Sequence, residues 1–146
     1  MATTQDNRVF VDTNILLAAT DTDRVYHAAA VEFLEDGGQG ILRLFACAQI
    51  FREYLVVATR PVEGNGLGLS TRDACENVRH FRSLIEVLPE DHATSDRLIT
   101  LCQRHRLVGN RIHDANLVAV MIENGLRQLK TFNPSDFSVF DSITLL

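Results

Sequence analysis

Short apolar runs alternate with longer helical patterns along this chain of 146 residues. The first run, Arg8 to Val11, is short, apolar and bounded by polar residues, so it predicts a buried strand. Further strands are predicted at 41–46, 86–88 and 129–132, and a fifth edge strand at 142–146. Strands that alternate with helices favour a mostly parallel sheet of four to five strands covered on both faces. We therefore predict an α/β fold with a single domain over residues 1–146.

Helices are predicted between these strands, and several have recognisable ends. Their ranges are 15–19, 26–34, 48–59, 70–84, 94–105 and 112–124. Asn14 is positioned to cap the first helix and Ser70 the fourth, while Pro61 ends the third. The stretch 61–68 contains a GxGxG pattern without a following Lys-Ser/Thr, so it predicts a flexible connector and no phosphate loop.

Composition excludes several classes of protein. Hydrophobic residues make up 46% of the chain and charged residues 23%, as in ordinary globular proteins. The chain lacks an apolar run of roughly 18 residues, and its start lacks a basic segment followed by an apolar one. We therefore expect a cytoplasmic protein without a membrane partner. Three cysteines without CxxC spacing and five histidines without HxxxH spacing argue against a disulfide framework or a zinc enzyme.

The formal net charge of −5 argues at first against a nucleic-acid partner. Two observations weaken that argument. Carboxylates that bind divalent cations are neutralised when the metal binds, and the basic residues are thirteen arginines and one lysine. Arginine offers a planar set of donors suited to phosphate, although a GC-rich genome explains the same bias equally well.

Four acidic residues occupy positions where an acid needs an explanation: Asp12, Glu53, Asp114 and Asp136. Asp12 ends the first strand, and Asp136 lies in a polar turn after a late strand. The carboxyl ends of strands in an open α/β sheet are where ligands bind. If the fold gathers these four side chains, they would hold Mg²⁺ or Mn²⁺, because hard cations select carboxylate oxygens. Such a site predicts a metal-dependent phosphodiesterase.

Each acid also has a structural explanation. Asp12 can cap the first helix, and taken alone that explanation is the better one. Thr13 and Asn14 can cap the same helix or support the Asp12 carboxylate from outside the metal shell. Glu53 falls at the border of an apolar helix face, so a solvated acid and a functional acid are equally good explanations.

Asp114 is the sharper signal, because its neighbours on the helix surface, Leu117, Val118 and Met121, are apolar. A first-turn acid is favoured by the helix dipole by about 0.3–1 kcal/mol, but this does not explain the apolar surroundings. Burying a carboxylate is expensive unless a cation or donors meet it. Asp136 has the ordinary explanation of a turn acid after proline, and Asn133 is either a turn former or a neutral ligand.

Four segments in order resemble the PIN-domain nucleases, most closely the VapC ribonuclease toxins of bacterial toxin–antitoxin pairs. They are Val11-Asp12-Thr13-Asn14-Ile15-Leu16, Glu53 on the third helix, Arg111-Ile112-His113-Asp114-Ala115-Asn116-Leu117-Val118-Ala119, and Thr131-Phe132-Asn133-Pro134-Ser135-Asp136-Phe137. The resemblance spans nearly the whole chain. Some members carry an acid where this chain has Asn133, so the fourth acidic role passes to Asp136.

The resemblance implies an α/β/α sandwich whose acidic pocket holds Mg²⁺, with Mn²⁺ possible. It implies Asp12, Asp114 and Asp136 as direct or water-mediated ligands, and Glu53 as a base or the holder of a water. Thr13, Asn14, Thr131, Asn133 and Arg111 are expected to support the pocket or contact substrate. It also implies endonucleolytic cleavage of RNA, a homodimer, and inhibition by a VapB-type antitoxin.

Two other functions are compatible with these residues. A PIN-like module that only binds proteins would be expected to lose its acids, whereas this chain retains four. A structure-specific DNA nuclease would share the pocket chemistry but needs DNA-gripping elements, for which 146 residues leave little room. Arg104, Arg106 and Arg111 either grip backbone phosphates or belong to a solvated loop.

Overall fold

A computed structural model describes residues 5–146, so residues 1–4, part of the polar start considered above, lie outside it. One sheet contains the strands β1 (Arg8–Val11), β2 (Arg43–Cys47), β3 (Ile85–Leu88), β4 (Gln128–Lys130) and β5 (Thr144–Leu145). The helices are α1 (Thr13–Thr20), α2 (His27–Gly38), α3 (Ala48–Thr59), α4 (Thr71–Leu84), α5 (His92–His105) and α6 (Arg111–Glu123). Short 3₁₀ turns occupy Val62–Gly64 and Pro134–Phe137.

The strand order is β3-β2-β1-β4-β5, and every pairing in this sheet is parallel. The chain builds outward from β1 to β2 and β3, and then returns to add β4 on the other side of β1. The order therefore reverses between β1 and β4. In open α/β sheets, a crevice forms at the carboxyl ends of the strands at such a reversal. The predicted α/β fold with a parallel sheet is confirmed, and the sheet has five strands.

Helices cover both faces of the sheet. Helix α1 packs on α2 and α3, and α3 packs on α4, while α5 and α6 pack against each other. The connections from β1 to β2 and from β2 to β3 run in one direction along the sheet, and the connection from β3 to β4 runs in the other. Because crossovers between parallel strands are right-handed, the helices of the first two connections cover one face and those of the third cover the opposite face. The result is three layers, with β1 at the centre.

The core is continuous through these layers. Val9, Phe10 and Val11 of β1 are fully buried. Helix α6 is buried over most of its circumference from Ala115 to Met121, as its apolar sequence predicts. Within residues 5–146, no helix is long and apolar enough to cross a membrane.

Most element boundaries agree with the sequence prediction, and α3 begins and ends at the predicted residues. Ser70 caps α4 by accepting a hydrogen bond from the amide of Asp73, as predicted. The first helix differs: it begins at Thr13, and its N-cap is Asp12 instead of Asn14. The Asp12 carboxylate accepts the amide of Thr13, which leaves the Asn14 side chain available for other contacts.

The stretch predicted as a flexible connector folds back on the end of α3. The amides of Leu67 and Leu69 donate to the carbonyls of Val57 and Ala58, at 3.1 and 2.9 Å. Gly66 makes the closest approach, because a Cβ on this residue would lie 1.9 Å from the carbonyl oxygen of Arg60. Glycine is therefore required at this position by close backbone contact, and the connector is part of the packed structure.

We predict that Gly66→Ala lowers the free energy of unfolding by about 1–3 kcal/mol, because the backbone must move to relieve the clash. Gly64→Ala is the matched control in the same connector. A Cβ there lies 3.5 Å from the nearest Arg60 carbon, which is an ordinary contact, so little change is expected. Urea denaturation of both variants measures the difference. Equal stabilities for the two variants would contradict the close-contact explanation.

Candidate active site

Asp12 lies where β1 ends and α1 begins, so its carboxylate is at the crevice between β1 and β4. It accepts hydrogen bonds from the Thr13 amide at 2.7 Å and the Thr131 hydroxyl at 2.8 Å. The side-chain nitrogen of Asn14 lies 3.4 Å from Oδ2 of Asp12. Burial raises the pKa of Asp12 to about 6, and the nearby charges of Glu53 and Asp136 add to the rise, while the hydrogen bonds oppose it.

Glu53 on α3 is held at both carboxylate oxygens. The Thr13 hydroxyl donates to Oε2 at 2.7 Å, and the Gln49 side chain donates to Oε1 at 2.8 Å. Thr13 thus connects the two acids, because its amide bonds Asp12 and its hydroxyl bonds Glu53. This fixed orientation is unlike that of a solvated surface acid.

Gln49 is a site residue that our sequence analysis missed. Its side chain is 1% exposed and donates to the backbone carbonyl of His113 at 3.0 Å as well as to Glu53. Its oxygen accepts from the Asn116 amide at 2.7 Å, and Asn116 also donates to Glu90. Gln49 lies four residues before Glu53 on α3, and this spacing places the two side chains on one helix face. That spacing is the signal that could have identified it.

Asp114 lies in the first turn of α6 and is half-buried. Burial raises the pKa of Asp114 to about 6, and the charges of Asp136, Asp12 and Glu53 raise it further. The exposed Arg111, one turn earlier, acts in the opposite direction. Gln49 bonds both Glu53 and the carbonyl of His113, the residue before Asp114, so the first turn of α6 lies beside Glu53.

Asp136 lies in the 3₁₀ turn that follows β4, and Asn133 lies just before that turn. Asp136 is exposed, and its amide bonds the carbonyl of Asn133 at 3.1 Å. Its charge raises the pKa of both Asp12 and Asp114. Asn133 is also exposed, and its amide donates to the Thr131 hydroxyl. The charge of Asp136 therefore acts on two other acids, whereas Asn133 is neutral.

Thr131 and Asn14 hold the end of β4 against Asp12. Thr131 is 4% exposed, and its hydroxyl donates to Asp12 while accepting from the Asn14 side chain at 3.2 Å. The Asn14 oxygen in turn accepts the amide of Phe132. Arg104 and Arg106 are exposed near the end of α5. Thr131 and Asn14 therefore support Asp12 by hydrogen bonds, whereas Arg104 and Arg106 are exposed residues at the end of α5.

Acidic side chains gather here without neutralising partners. None of the ion pairs found among residues 5–146 includes Asp12, Glu53, Asp114 or Asp136. Like charges in a partly buried site repel each other, and a divalent cation would relieve that repulsion. The donors are hard oxygens, which suits Mg²⁺ or Mn²⁺. Burial raises the pKa of the Cys47 thiol to about 12, so this thiol is neutral in the metal-free protein.

The spacing of the acids limits how they would hold an ion. Within residues 5–146, no three His, Cys, Asp or Glu side chains stand close enough to share one ion directly. Mg²⁺ usually retains several waters and binds through one or two carboxylates. The residues therefore fit a hydrated ion, with some carboxylates acting through water.

The sequence is similar to a known family and to named proteins of that family. The family model described as PIN domain matches residues 9–142. The chain is 33% identical to Ribonuclease VapC23 of Mycobacterium tuberculosis, covering 92% of this chain and 99% of that protein. It is 31% identical to Ribonuclease VapC24 of the same species, with 89% of each chain covered.

Solved structures with low sequence identity share the fold. VapBC2 from Rickettsia felis, bound to a DNA fragment from its promoter, has a TM-score of 0.67 at 15% identity, covering 95% of this chain and 97% of that one. Mycobacterium tuberculosis VapC20, described as a sarcin-ricin loop cleaving toxin, has a TM-score of 0.67 at 16% identity, with coverage of 90% and 95%. Since the family model spans most of the sequence and relatives exceed 30% identity over nearly their full length, the chain belongs to the PIN-domain family.

Proposed function

We propose that this protein is a VapC-type toxin, an endoribonuclease that hydrolyses RNA phosphodiesters with Mg²⁺, or alternatively Mn²⁺. One observation carries the proposal: acids from four separate elements influence one another at the crevice between β1 and β4, and none is neutralised by an ion pair among the described residues. The similarity to named VapC ribonucleases supports RNA as the substrate. We expect the enzyme to act in the cytoplasm.

In this proposal, Asp12, Asp114 and Asp136 hold the hydrated ion, directly or through water. The bound ion supplies a Lewis acid that lowers the pKa of water and offsets charge on the phosphoryl oxygens. Glu53 accepts a proton from the attacking water, or holds that water in line with phosphorus. Each Glu53 oxygen already accepts one hydrogen bond and retains a free lone pair for this purpose. Attack by water, and not by the ribose 2′-hydroxyl, leaves 5′-phosphate and 3′-hydroxyl ends.

A VapB-type antitoxin is the expected partner. Support comes from the solved neighbours, several of which are VapBC toxin–antitoxin complexes. An apolar groove of about 630 Å³ between α1, α2 and α4 adds to that support, with a lining that includes Val31, Leu34, Phe81 and Leu84. A partner helix with an apolar face suits such a groove.

A homodimer is a further part of the proposal. An apolar depression of about 730 Å³ between α3, α4 and β3 supports it, and its lining includes Phe51, Leu55 and Val56. Val56 is 51% exposed in the single chain. Covering such a surface by a second copy would remove apolar area from water.

We predict that Asp12→Asn and Asp114→Asn each reduce RNA cleavage by at least about 100-fold, because each removes a carboxylate that holds the ion. Gel assays with end-labelled RNA measure cleavage and identify the product ends, and excess EDTA should abolish the wild-type activity. In a bacterial host, induction of the wild type should stop growth and induction of Asp12→Asn should not. Full activity of either variant, or in EDTA, would refute the metal mechanism.

Titration calorimetry separates this enzyme from a protein-binding module of the same fold. The proposal expects heat on addition of Mn²⁺ to the wild type, and much weaker binding by Asp12→Asn. Wild-type protein that binds no Mn²⁺ and allows normal growth would favour the module.

Asp12 also predicts a pH-dependent effect on stability. Its pKa of about 6 exceeds the ordinary value of 3.8, so the metal-free folded protein binds this proton more tightly than the unfolded chain does. Stability is therefore greatest below about pH 4 with respect to this group, and falls as the pH rises through 6. Asp12→Asn should raise the free energy of unfolding by roughly 1–3 kcal/mol at pH 7.5 without metal, and by much less at pH 4.

Asp91→Asn is the matched control, because Asp91 is also the N-cap of a helix. Hydrogen bonds to the Thr94 amide lower the pKa of Asp91, so its charge favours the folded state at neutral pH. This substitution should not stabilise the protein at pH 7.5. Thermal melts of both variants at the two pH values, with and without MnCl₂, make the comparison. A destabilised Asp12→Asn protein at pH 7.5 would contradict the argument that burial and neighbouring charges disfavour the ionised Asp12.

We predict that Gln49→Met lowers kcat about 10- to 100-fold with a small change in KM, since Gln49 orients Glu53 without facing substrate. Gln103→Met, on the exposed surface of α5, is the control and should change neither kcat nor KM. A Gln49→Met enzyme with an unchanged kcat would show that Gln49 only supports the fold.

A further inference from the structure

Two aromatic rings form a stack beside the acidic site. Tyr26, at the start of α2, stacks on Phe132, just after β4, with ring centres 4.4 Å apart and planes inclined by 18°. Despite this contact, Tyr26 remains 52% exposed. One face of the Tyr26 ring is therefore covered by Phe132, and much of the remaining ring is open to solvent.

The stack is connected to Asp12 through a single side chain. The amide of Phe132 donates to the Asn14 oxygen at 3.2 Å, and the Asn14 nitrogen lies 3.4 Å from the Asp12 carboxylate. The residue before Phe132 is Thr131, which bonds Asp12 directly. The backbone of Phe132 therefore lies beside the crevice where we propose that phosphodiester cleavage occurs, and Tyr26 stacks on the ring that this residue carries.

A cation adjoins the same rings. The ammonium group of Lys130, the one lysine in the sequence, lies 5.8 Å from the centre of the Phe132 ring. Among the ion pairs of residues 5–146, none includes Lys130. Its backbone carbonyl accepts the amide of Asp12, so the strand that carries Lys130 ends beside the acidic site. An aromatic surface with an adjacent cation suits a nucleobase and its phosphate.

A purely structural role for the stack is the main alternative, but the loop before α2 has other anchors. The Arg24 side chain pairs with Asp21 at 3.5 Å. A ring nitrogen of His27 lies 2.8 Å from the carbonyl oxygen of Ala18. These contacts fix the path of the loop on both sides of Tyr26. An aromatic ring left half exposed adds little burial to a loop that is already held in place.

We propose that Tyr26 and Phe132 form a stacking platform for one unpaired nucleobase of the RNA substrate. The inference rests on the proposed ribonuclease function and makes the substrate class more specific. A base within a duplex is stacked on its neighbours and cannot lie on the Tyr26 ring, so the platform selects single-stranded segments or loops. Stacking depends weakly on base identity, because every base has an aromatic face.

The sequence contains no tryptophan, which makes a direct test possible. Tyr26→Trp, made together with Asp12→Asn to prevent cleavage, places the sole tryptophan of the protein on the platform. Titration with a ten-nucleotide oligoadenylate or oligouridylate should quench its fluorescence. A ribose-phosphate oligomer of the same length without bases should not. Quenching by the abasic oligomer to the same extent, or by none of the three, would overturn the platform.

Binding of the same oligonucleotides to Asp12→Asn protein tests the ring itself. Adding Tyr26→Ala should weaken binding about 5- to 100-fold, while adding Tyr26→Phe should preserve it. Ile99→Ala removes a side chain of α5 that is 54% exposed and serves as the control for loss of surface apolar area. Equal affinities for the Tyr26→Ala and Ile99→Ala proteins would overturn the inference.

Cleavage assays separate this inference from the proposed function. With Asp12 intact, Tyr26→Ala should raise KM for single-stranded RNA with less effect on kcat. If the wild type cleaves RNA and Tyr26→Ala has an unchanged KM, the platform fails and the ribonuclease stands. If the wild type cleaves no RNA but the tryptophan is quenched by oligonucleotides with bases, the ribonuclease fails and a nucleobase site remains.

Discussion

The burial of carboxylates at the crevice between β1 and β4 is the constraint on which the rest of this structure depends. Asp12 and Glu53 are oriented by hydrogen bonds from Thr13, and Glu53 also by Gln49. These bonds position the charges but do not neutralise them, since the donors are uncharged. Burial then raises the pKa of Asp12 and of Asp114 to about 6. The free energy of folding must therefore offset the cost of keeping these acids ionised in a partly buried site at neutral pH.

The parallel sheet supplies the rigidity that this cluster requires. β1 is buried on both faces and lies between β2 and β4, so its end cannot shift without breaking two ladders. Asp12 extends directly from that strand, and Thr131 follows β4 on the adjacent side. The return of the chain from β3 to β4 brings α6 across the sheet, and the apolar surface of α6 fixes the turn that carries Asp114. The fold thus brings residues that are more than 100 positions apart in sequence to one crevice.

Much of this arrangement could be predicted from the sequence, because it depends on periodicity and strand ends. Alternating apolar runs predicted the sheet, and the bounds of α3 were predicted to the residue. Asp12 shows a limit of such reasoning: helix capping and site membership were treated as competing explanations, and the structure has Asp12 as the cap of α1 within the acidic cluster. Gln49 was missed because its spacing from Glu53 places the two on one helix face but does not show what else the buried amide contacts. Its contact with His113 depends on how α3 and α6 pack, which helical periodicity does not specify. The folded connector was missed for a similar reason, since glycine-rich sequence is compatible with both flexibility and close packing.

The charge of the protein bears on how it would hold RNA. A net charge of −5 and an acidic crevice both repel a polyanion, so phosphate contacts alone give weak binding. A bound divalent cation would reduce the negative charge within the crevice, and the charge of Arg111 already acts on Asp114. Stacking of a base on Tyr26 is independent of the charge of the protein, because it uses dispersion and burial of ring area. An acidic ribonuclease therefore gains more from an aromatic platform than a basic one would, and a base held on Tyr26 brings its own phosphate toward the edge of the acidic crevice.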